Sequence, residues 1–450
     1  MTITAAVLLL MTEAALLVLT LVKDRERLSW RKNRAAARGI EFILLLTVIL
    51  LPFTHMKWRF TGALILTGIL LLIAVLSWLI RRKKADTAVK RSKVINSMVL
   101  SVFMIGFALV PAFIFTNYNG LKTTGSYGVR ESSAVLTDVS RTDPFEKDGA
   151  LREVPVHFYY PDKEGTYPLV VFSHGAFGYY QSNYSTYAEL VSSGYVVAAL
   201  DHPHHAFFTK NSAGKTVIVD GGFIQDAIDV TNGDKSREEE FALYKEWMAL
   251  RSADMDFVLD TIENAKAAGT LNSAWHAGNA EEILSVLSMA DTEKIGVMGH
   301  SMGGATAVSA GRTRGDIDAV IVLDGTWLGE ITGYENGACT YNEEAYPVPV
   351  LDFGKTSDYS EEAEADDRSA FALVNRYETG RAKDGKTVLF RDCEHMDFTD
   401  LPLFSPFLAS MLGSDDIDHE AFMYRLNGLV RDWFDHYLKG KELPEIQAEY

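Results

Sequence analysis

The chain has 450 residues, of which 48% are hydrophobic, and its formal net charge is −17. The length exceeds that of one ordinary domain, and the acidic balance argues against a nucleic-acid partner. Its two cysteines lack the Cys/His spacing of a zinc site.

The first 116 residues are strongly apolar and predict about four transmembrane helices. The hydrocarbon core of a bilayer is about 30 Å thick and needs about 20 apolar residues in helical form. The second predicted span is short, contains Pro52, and would pair with the third as a hairpin. The four spans are roughly Thr2–Val22, Ile40–Met56, Phe60–Ile80 and Val94–Thr116.

The distribution of charge predicts the topology of these spans. The loops Lys23–Arg38 and Arg81–Lys93 each contain seven Lys or Arg residues, whereas Pro52–Arg59 contains only two. By the positive-inside rule the two basic loops are cytoplasmic. Residues 117–450 are strongly acidic, with 55 Asp or Glu against 27 Lys or Arg. We therefore predict a multi-pass protein of the cell membrane whose C-terminal part is extracytoplasmic.

The remainder of the chain predicts an α/β domain. Residues 117–152 contain several Gly, Ser and Thr and are typical of a linker with early edge structure. From Val154 onward, strand-like runs alternate with helical patterns, which favours a mostly parallel sheet. We therefore expect residues 153–450 to form one domain.

The stretch Gly299–Gly303 reads G-x-S-x-G, the pattern of a nucleophile elbow. An apolar run, Ile295–Met298, precedes it, and a plausible helix follows it. A sharp turn from strand to helix would expose the Ser301 hydroxyl for nucleophilic attack. The same turn places the Met302 amide at a helix N-terminus, where it can bind an oxyanion.

A serine nucleophile needs a base and an acid that orients the base. His395 is the candidate base, because it follows the β-rich run Thr387–Phe390. Two acids fit the order Ser, Asp, His: Asp324 ends one apolar run, and Asp358 follows another. The residues alone leave both acids open.

The second half of an oxyanion site is expected after an earlier strand. Leu169–Phe172 is such a run, and Ser173–Gly178 follows it. Gly175 lets the backbone turn so that the Ala176 amide points at the oxyanion, together with the amide of Met302. This chemistry needs neither a metal nor a cofactor.

Five segments together resemble the plasma-type platelet-activating factor acetylhydrolase family, from near Val154 onward. The resemblance implies an α/β-hydrolase fold, preceded here by the four-helix transmembrane region, and it favours Asp324 over Asp358 as the acid. It also implies ester substrates with short or oxidised acyl chains, including lipid-type esters. The segments are Phe172–Gly175, Ala198–His202, Lys294–Ala307, Val322–Trp327 and His395–Asp400.

The predicted function is that of a membrane-anchored serine hydrolase that cleaves carboxylic esters outside the cytoplasm. Its partners would be a small-molecule or lipid ester and the membrane itself. One alternative is an esterase resembling polyester or dienelactone hydrolases. Another is a non-catalytic membrane sensor with a hydrolase-like binding domain.

The two cysteines predict a disulfide close to the catalytic residues. Cys339 lies fifteen residues after Asp324, and Cys393 lies two residues before His395. If the acid and the base meet, both loops converge at one rim of the sheet, which makes a bridge geometrically feasible. An oxidising compartment would favour it, and the alternative is two unrelated thiols.

Overall fold

The computed structural model describes residues 1–23, 26–81, 88–335, 338–359 and 371–450. It divides into two compact units, one of Met1–Gly120 with Pro402–Met411 and one of Leu121–Leu401 with Leu412–Tyr450. Both basic loops used to predict the topology lie partly outside the described residues.

The helices and strands are numbered in chain order. The helices are α1 Thr2–Val18, α2 Arg27–Leu50, α3 Thr61–Arg81, α4 Arg91–Ala108, α5 Val110–Ile114, α6 Tyr184–Ser192, α7 Gly221–Asn232, α8 Arg237–Ala268, α9 Ala280–Met289, α10 Met302–Thr313, α11 Phe371–Arg381, α12 Leu401–Phe404, α13 Pro406–Met411 and α14 His419–Lys439. The strands are β1 Val129–Thr142, β2 Leu151–Pro161, β3 Tyr167–Ser173, β4 Val196–Leu200, β5 Phe208–Lys210, β6 Thr216–Ile218, β7 Trp275–Ala277, β8 Ala290–His300, β9 Ile317–Leu323, β10 Ile331–Glu335, β11 Ala338–Tyr341, β12 Val350–Lys355 and β13 Gly385–Phe390.

The prediction of four membrane spans is corrected to three candidates. Within the described residues, three helices are long and apolar enough to cross a membrane: Thr2–Val22, Lys57–Ile80 and Arg91–Ala108. The expected span Ile40–Met56 is instead the end of α2, which stops at Leu50. Leu51 is extended (φ −61°, ψ 136°), because the residue before a proline, here Pro52, is disfavoured in helical conformation. The apolar part of α2 is therefore too short for a separate span.

A buried cluster of polar side chains joins three helices of the helical unit. The Arg38 guanidinium on α2 donates to the Glu13 carboxylate on α1 and, at 2.6 Å, to Glu41. It also donates to the Ser101 hydroxyl on α4 at 2.7 Å. All four side chains are buried. Removing one partner of such a cluster leaves an uncompensated buried charge, so the cluster fixes how α1, α2 and α4 pack.

The second unit is built on a nine-stranded sheet with the order β13-β12-β9-β8-β3-β4-β2-β1-β7. Neighbouring strands from β13 to β4 are parallel, and β2, β1 and β7 continue the sheet in antiparallel pairing. The expected α/β architecture with a mostly parallel sheet is therefore confirmed. Strand β1 falls in the segment expected to be linker and edge, and it pairs with β2 along most of its length.

Helices cover both faces of the sheet. Successive residues of a strand point to opposite faces, so neighbouring residues pack against different helices. Val171 and Val297 belong to the large apolar core that includes residues of α8, α9 and α10. On the other face, the Phe172 ring packs edge-on against Tyr187 of α6. A Cβ added at Gly296 would lie 2.4 Å from the Phe434 ring of α14. Because these parallel strands are buried on both faces, most of their residues are apolar, which explains the apolar runs in the sequence.

Candidate active site

The backbone at Ser301 has an unusual conformation, between the end of β8 and the start of α10. Its φ is 55° and its ψ is −126°. The Ser301 amide donates to the Leu323 carbonyl of β9 at 3.0 Å. A Cβ at Gly299 would lie 2.2 Å from the Gly303 backbone, and a Cβ at Gly303 would lie 1.9 Å from the Ser173 carbonyl oxygen. Strained backbone of this kind is typical of functional sites, where the surroundings hold it in place.

The structure brings His395 and Asp324 together. His395 Nδ1 lies 2.5 Å from Asp324 Oδ2, a distance at which the two groups share a hydrogen bond. Asp324 follows β9 with a positive φ of 44°, and its amide donates to the Phe353 carbonyl of β12 at 2.9 Å. With Nδ1 bound to the carboxylate, the other ring nitrogen of His395 has no hydrogen-bond partner within the described residues.

Ser301 forms no side-chain hydrogen bond with the His395 ring in the described part of the chain. Such bonds are often long before substrate binds and shorten in the reacting complex. The His395 side chain is 40% exposed, so its ring faces an open space.

The structure places Asp358 with a different partner. Its Oδ1 lies 3.4 Å from Lys355 Nζ, and Lys355 also donates to Glu394 at 3.1 Å. Burial raises the pKa of the Asp358 carboxyl, and the nearby lysine opposes that rise. The geometry therefore pairs the His395 ring with Asp324 rather than with Asp358.

Two buried carboxylates, Asp397 and Asp400, hold the 3-10 turn His395–Phe398 in place. Asp397 accepts from the Glu394 amide at 2.8 Å and closes the turn. Asp400 accepts from the amide and the hydroxyl of Ser185, each at 2.6 Å. These contacts tie the loop that carries His395 to the start of α6.

His300, the residue before Ser301, packs against the candidate base. The rings of His300 and His395 lie 4.5 Å apart, and His300 Nε2 is 3.1 Å from the His395 carbonyl oxygen. Burial lowers the pKa of His300 to about 3, so its ring is neutral at physiological pH. A neutral imidazole supports the His395 backbone without placing a second positive charge beside its ring. Sequence reasoning missed this residue, which occupies the first variable position of the G-x-S-x-G motif.

The loop after β3 lies directly against Ser301. A Cβ at Gly175 would be 3.1 Å from Ser301 Cβ and 2.9 Å from His300 Nδ1, so a side chain there would obstruct the nucleophile. The amides of Ala176 and Met302 donate to no acceptor within the described residues. Met302 is the first residue of α10, where an amide has no partner within the helix.

An apolar cluster adjoins both of these amides. Met302 is one of its buried members, and Ala176 packs against it. Its other buried members come mainly from α7, α8 and the segment that begins β10, and are Phe223, Tyr244, Trp247, Met248, Ala305, Leu328 and Ile331. One side of the candidate site is therefore built from aromatic and aliphatic side chains.

The expected disulfide is absent from the structure, which has both cysteines as free thiols. Cys339 on β11 packs against the apolar cluster beside Met302. The Cys393 thiol is buried and directed at the Phe390 carbonyl oxygen, at 3.6 Å. Burial raises the pKa of Cys393 to about 12. The bridge does not form because each sulfur lies in its own packed environment.

Comparison with known proteins identifies the family of this chain. The model of the family "Platelet-activating factor acetylhydrolase, isoform II" matches residues 153–412. The chain belongs to this family. The match confirms the resemblance seen in the sequence, and it includes the segments that contain Ser301, Asp324 and His395.

Individual members of the platelet-activating factor acetylhydrolase family align over a shorter range. The bovine platelet-activating factor acetylhydrolase is 29% identical over 154 residues, which are 32% of this chain and 31% of that protein. The chicken protein of the same name is 30% identical over 163 residues, 32% of this chain and 35% of that protein. The chain thus spans about a third of the length of these relatives.

A ferulic acid esterase from Streptomyces cinnamoneus has a similar structure. The TM-score is 0.51 and the identity 20%, over 73% of this chain and 96% of that protein. At this level of identity the likeness concerns the fold. It supports the α/β-hydrolase architecture expected from the sequence.

Replacing Asp324 is expected to impair ester hydrolysis far more than replacing Asp358. An amide at position 324 would favour the wrong tautomer of His395, which typically lowers kcat by about 10⁴-fold. Asp324→Asn and Asp358→Asn should be compared with the same chromogenic ester. A crippled Asp358→Asn enzyme beside a nearly normal Asp324→Asn enzyme would reverse the assignment.

The loop that carries His395 should contribute a pH-dependent term to stability. Burial raises the pKa of Asp400 to about 7, although hydrogen bonds from Ser185 oppose the rise. An unfolded aspartate has a pKa of about 3.9, so the folded state holds this proton at higher pH than the unfolded state. The Asp400 contribution to the free energy of unfolding is therefore full below about pH 4 and is lost as the pH rises to about 7.

Asp400→Asn should flatten this part of the pH dependence. Denaturant unfolding at pH 4, 5.5 and 7.5 measures it, with the exposed residue change Asp416→Asn as the control. If the two variants have the same pH dependence as the wild type, Asp400 does not titrate as described.

Proposed function

We propose that this chain is a serine carboxylic ester hydrolase in which Ser301 is the nucleophile, His395 the base and Asp324 the acid that orients it. The observation that carries the proposal is the 2.5 Å contact between His395 and Asp324 at the sheet edge where Ser301 precedes α10. Membership of the platelet-activating factor acetylhydrolase family supports the same reaction class.

In this mechanism Ser301 Oγ forms a bond to the ester carbonyl carbon while its proton passes to His395. The carbonyl π electrons move to the oxygen, and the amides of Ala176 and Met302 stabilise the resulting oxyanion. The oxyanion then collapses, the bond to the alcohol oxygen breaks, and His395 gives its proton to the leaving alcohol. Water attacks the acyl-enzyme by the same steps and releases the acid and free Ser301.

The substrate class follows from the family and from the apolar cluster. We propose carboxylic esters with short acyl chains, including lipid-type esters, as the substrates. The cluster beside Met302 offers an apolar contact surface built from aromatic and aliphatic side chains. This composition suits an uncharged acyl or alkyl group next to the ester carbonyl.

We also propose that the helical unit anchors the enzyme in the cell membrane as a multi-pass region, with the hydrolase unit outside the cytoplasm. Three of its helices have the required length and apolarity. Many of their large apolar side chains are exposed in the structure; Ile65, Phe103 and Phe107 are 59%, 70% and 73% exposed. Apolar surfaces of this extent mark sites of membrane or protein contact. The orientation rests on the basic loops.

Ser301→Ala should abolish ester hydrolysis and leave the fold intact. Loss of a triad member typically reduces kcat by about 10⁴-fold or more, because no other group attacks the carbonyl. The measurement is hydrolysis of p-nitrophenyl esters of increasing chain length, together with labelling by a fluorophosphonate probe. Ser309→Ala is a matched control, since it also removes a serine hydroxyl from α10. The Ser309 hydroxyl accepts a hydrogen bond from Ser252 at 2.9 Å.

A Ser301→Ala enzyme that keeps substantial activity would exclude Ser301 as the nucleophile. A wild-type protein that neither hydrolyses these esters nor reacts with the probe would favour the non-catalytic alternative.

The proposed orientation can be tested with single cysteines on intact cells, after replacement of Cys339 and Cys393 by serine. Ser140→Cys, at an exposed position of β1, should react with a membrane-impermeant maleimide added outside. Ser92→Cys, in the second basic loop, should react only after the cells are opened. Protection of Ser140→Cys together with labelling of Ser92→Cys would reverse the topology.

A further inference from the structure

Arg251 on α8 binds the oxyanion loop from its buried side. Its guanidinium donates to the His174 carbonyl oxygen at 2.6 Å and to the Gly175 carbonyl oxygen at 3.3 Å. Its Nε donates to His205 Nδ1 at 3.3 Å. The side chain is fully buried. One planar cation thus holds two consecutive peptide groups of the loop next to Ser301.

The Gly175 carbonyl receives further hydrogen bonds that fix its direction. The His174 ring nitrogen Nδ1 lies 2.6 Å from it, and the Gly178 amide donates to it at 3.1 Å. In a trans peptide the carbonyl and the following N–H point in opposite directions, and the chain has no cis peptide bond in its described residues. A Gly175 carbonyl held towards Arg251 therefore directs the Ala176 N–H away from Arg251.

The Ala176 amide differs from the two that follow it. The Phe177 amide donates to the His205 carbonyl, and the Gly178 amide donates to the Gly175 carbonyl. The Ala176 amide has no acceptor within the described residues. Its peptide group follows Gly175, where an added Cβ would lie 3.1 Å from Ser301 Cβ. An unpaired amide at this place is available to an oxygen of the substrate.

Arg251 forms no ion pair with a carboxylate in the described part of the chain. Burial lowers the pKa of Arg251, and the charge of Asp254 on the same helix opposes that shift. The Asp254 carboxylate, however, is bound by Arg152 at 2.7 Å and by His202 at 3.0 Å. A buried cation without a carboxylate partner is costly, and packing alone would be served better by an apolar side chain. Its hydrogen bonds go to the loop carbonyls, so its charge also acts, through their dipoles, on the space in front of the loop.

We propose that Arg251 is a positioning residue for ester hydrolysis, which fixes the Gly175–Ala176 peptide so that the Ala176 N–H binds the oxyanion formed at Ser301. The inference rests on the proposed function. When the carbonyl oxygen of the ester gains negative charge, the fixed amide already points at it and need not reorganise. The positive charge of Arg251 behind the peptide further stabilises the oxyanion.

The test compares Arg251→Gln and Arg251→Lys with the wild-type full chain. Glutamine keeps one donor but loses the charge, and lysine keeps the charge but loses the planar fork that reaches both carbonyls. For Arg251→Gln, kcat per active site should fall by about 10²-fold, the loss seen when one oxyanion donor is removed. KM should change by less than about threefold, because the loss concerns the transition state. Arg251→Lys should have an intermediate kcat.

Two readouts separate positioning from folding. End-point labelling of Ser301 by a fluorophosphonate counts the folded sites, so kcat is expressed per labelled serine. The pH dependence of kcat/KM should keep its midpoint, because Arg251 does not touch His395 or Asp324. If both variants have wild-type kcat per labelled site and differ only in stability, Arg251 is structural and the proposal is wrong.

A measurement on the wild type does not depend on whether the variants fold. Hydrogen exchange at the Ala176 amide should slow when Ser301 carries a phosphonate, whose oxygen would accept from this amide. Unchanged exchange there would overturn the inference even if hydrolysis and labelling are normal. A wild-type protein that is neither active nor labelled would instead overturn the proposed function.

Discussion

Two backbone segments meet around Ser301 more closely than side chains would allow, and the geometry of the candidate site depends on this contact. Gly303 lies against the Ser173 carbonyl, Gly299 lies against Gly303, and Gly175 lies against Ser301 itself. Because none of the three has a Cβ, the elbow after β8 and the loop after β3 can come together. The amides of Ala176 and Met302, which have no acceptor within the described residues, belong to these two segments, and Ser301 is held at a positive φ.

A close backbone contact needs support from behind, and buried charges supply it here. Asp254 lies between Arg152, at 2.7 Å, and His202, at 3.0 Å, and the His202 ring in turn contacts the Ser173 hydroxyl at 2.9 Å. Burial lowers the pKa of His202 to about 4, so it contributes hydrogen bonds rather than charge at physiological pH. Such networks are rigid when all their members are satisfied, which suits a loop that must hold an amide still.

The sequence predicts those parts of the site that depend on local patterns. The elbow, the parallel sheet and the loop after β3 follow from motifs and from apolar runs, and the family match confirms the resemblance. The choice between Asp324 and Asp358 does not follow from the residues, since each follows a strand. Arg251 was missed because its contacts lie 76 and 77 residues away along the chain. The expected span Ile40–Met56 is not among the candidates in the described residues, because α2 ends at Leu50, before Pro52, and its apolar part is short.

If the proposed function holds, the insertion between β4 and β8 links recognition of the substrate to stabilisation of the oxyanion. Its helix α8 supplies Trp247 and Met248 to the apolar cluster beside Met302, and one turn later it supplies Arg251 to the loop carbonyls. Residues three or four apart lie on one side of a helix, so both groups move together with α8. In this arrangement, a substrate group that displaces Trp247 would also shift Arg251 and the Ala176 amide. Selectivity for the acyl or alkyl group would then appear in kcat as well as in KM, because the same helix positions both partners of the reaction.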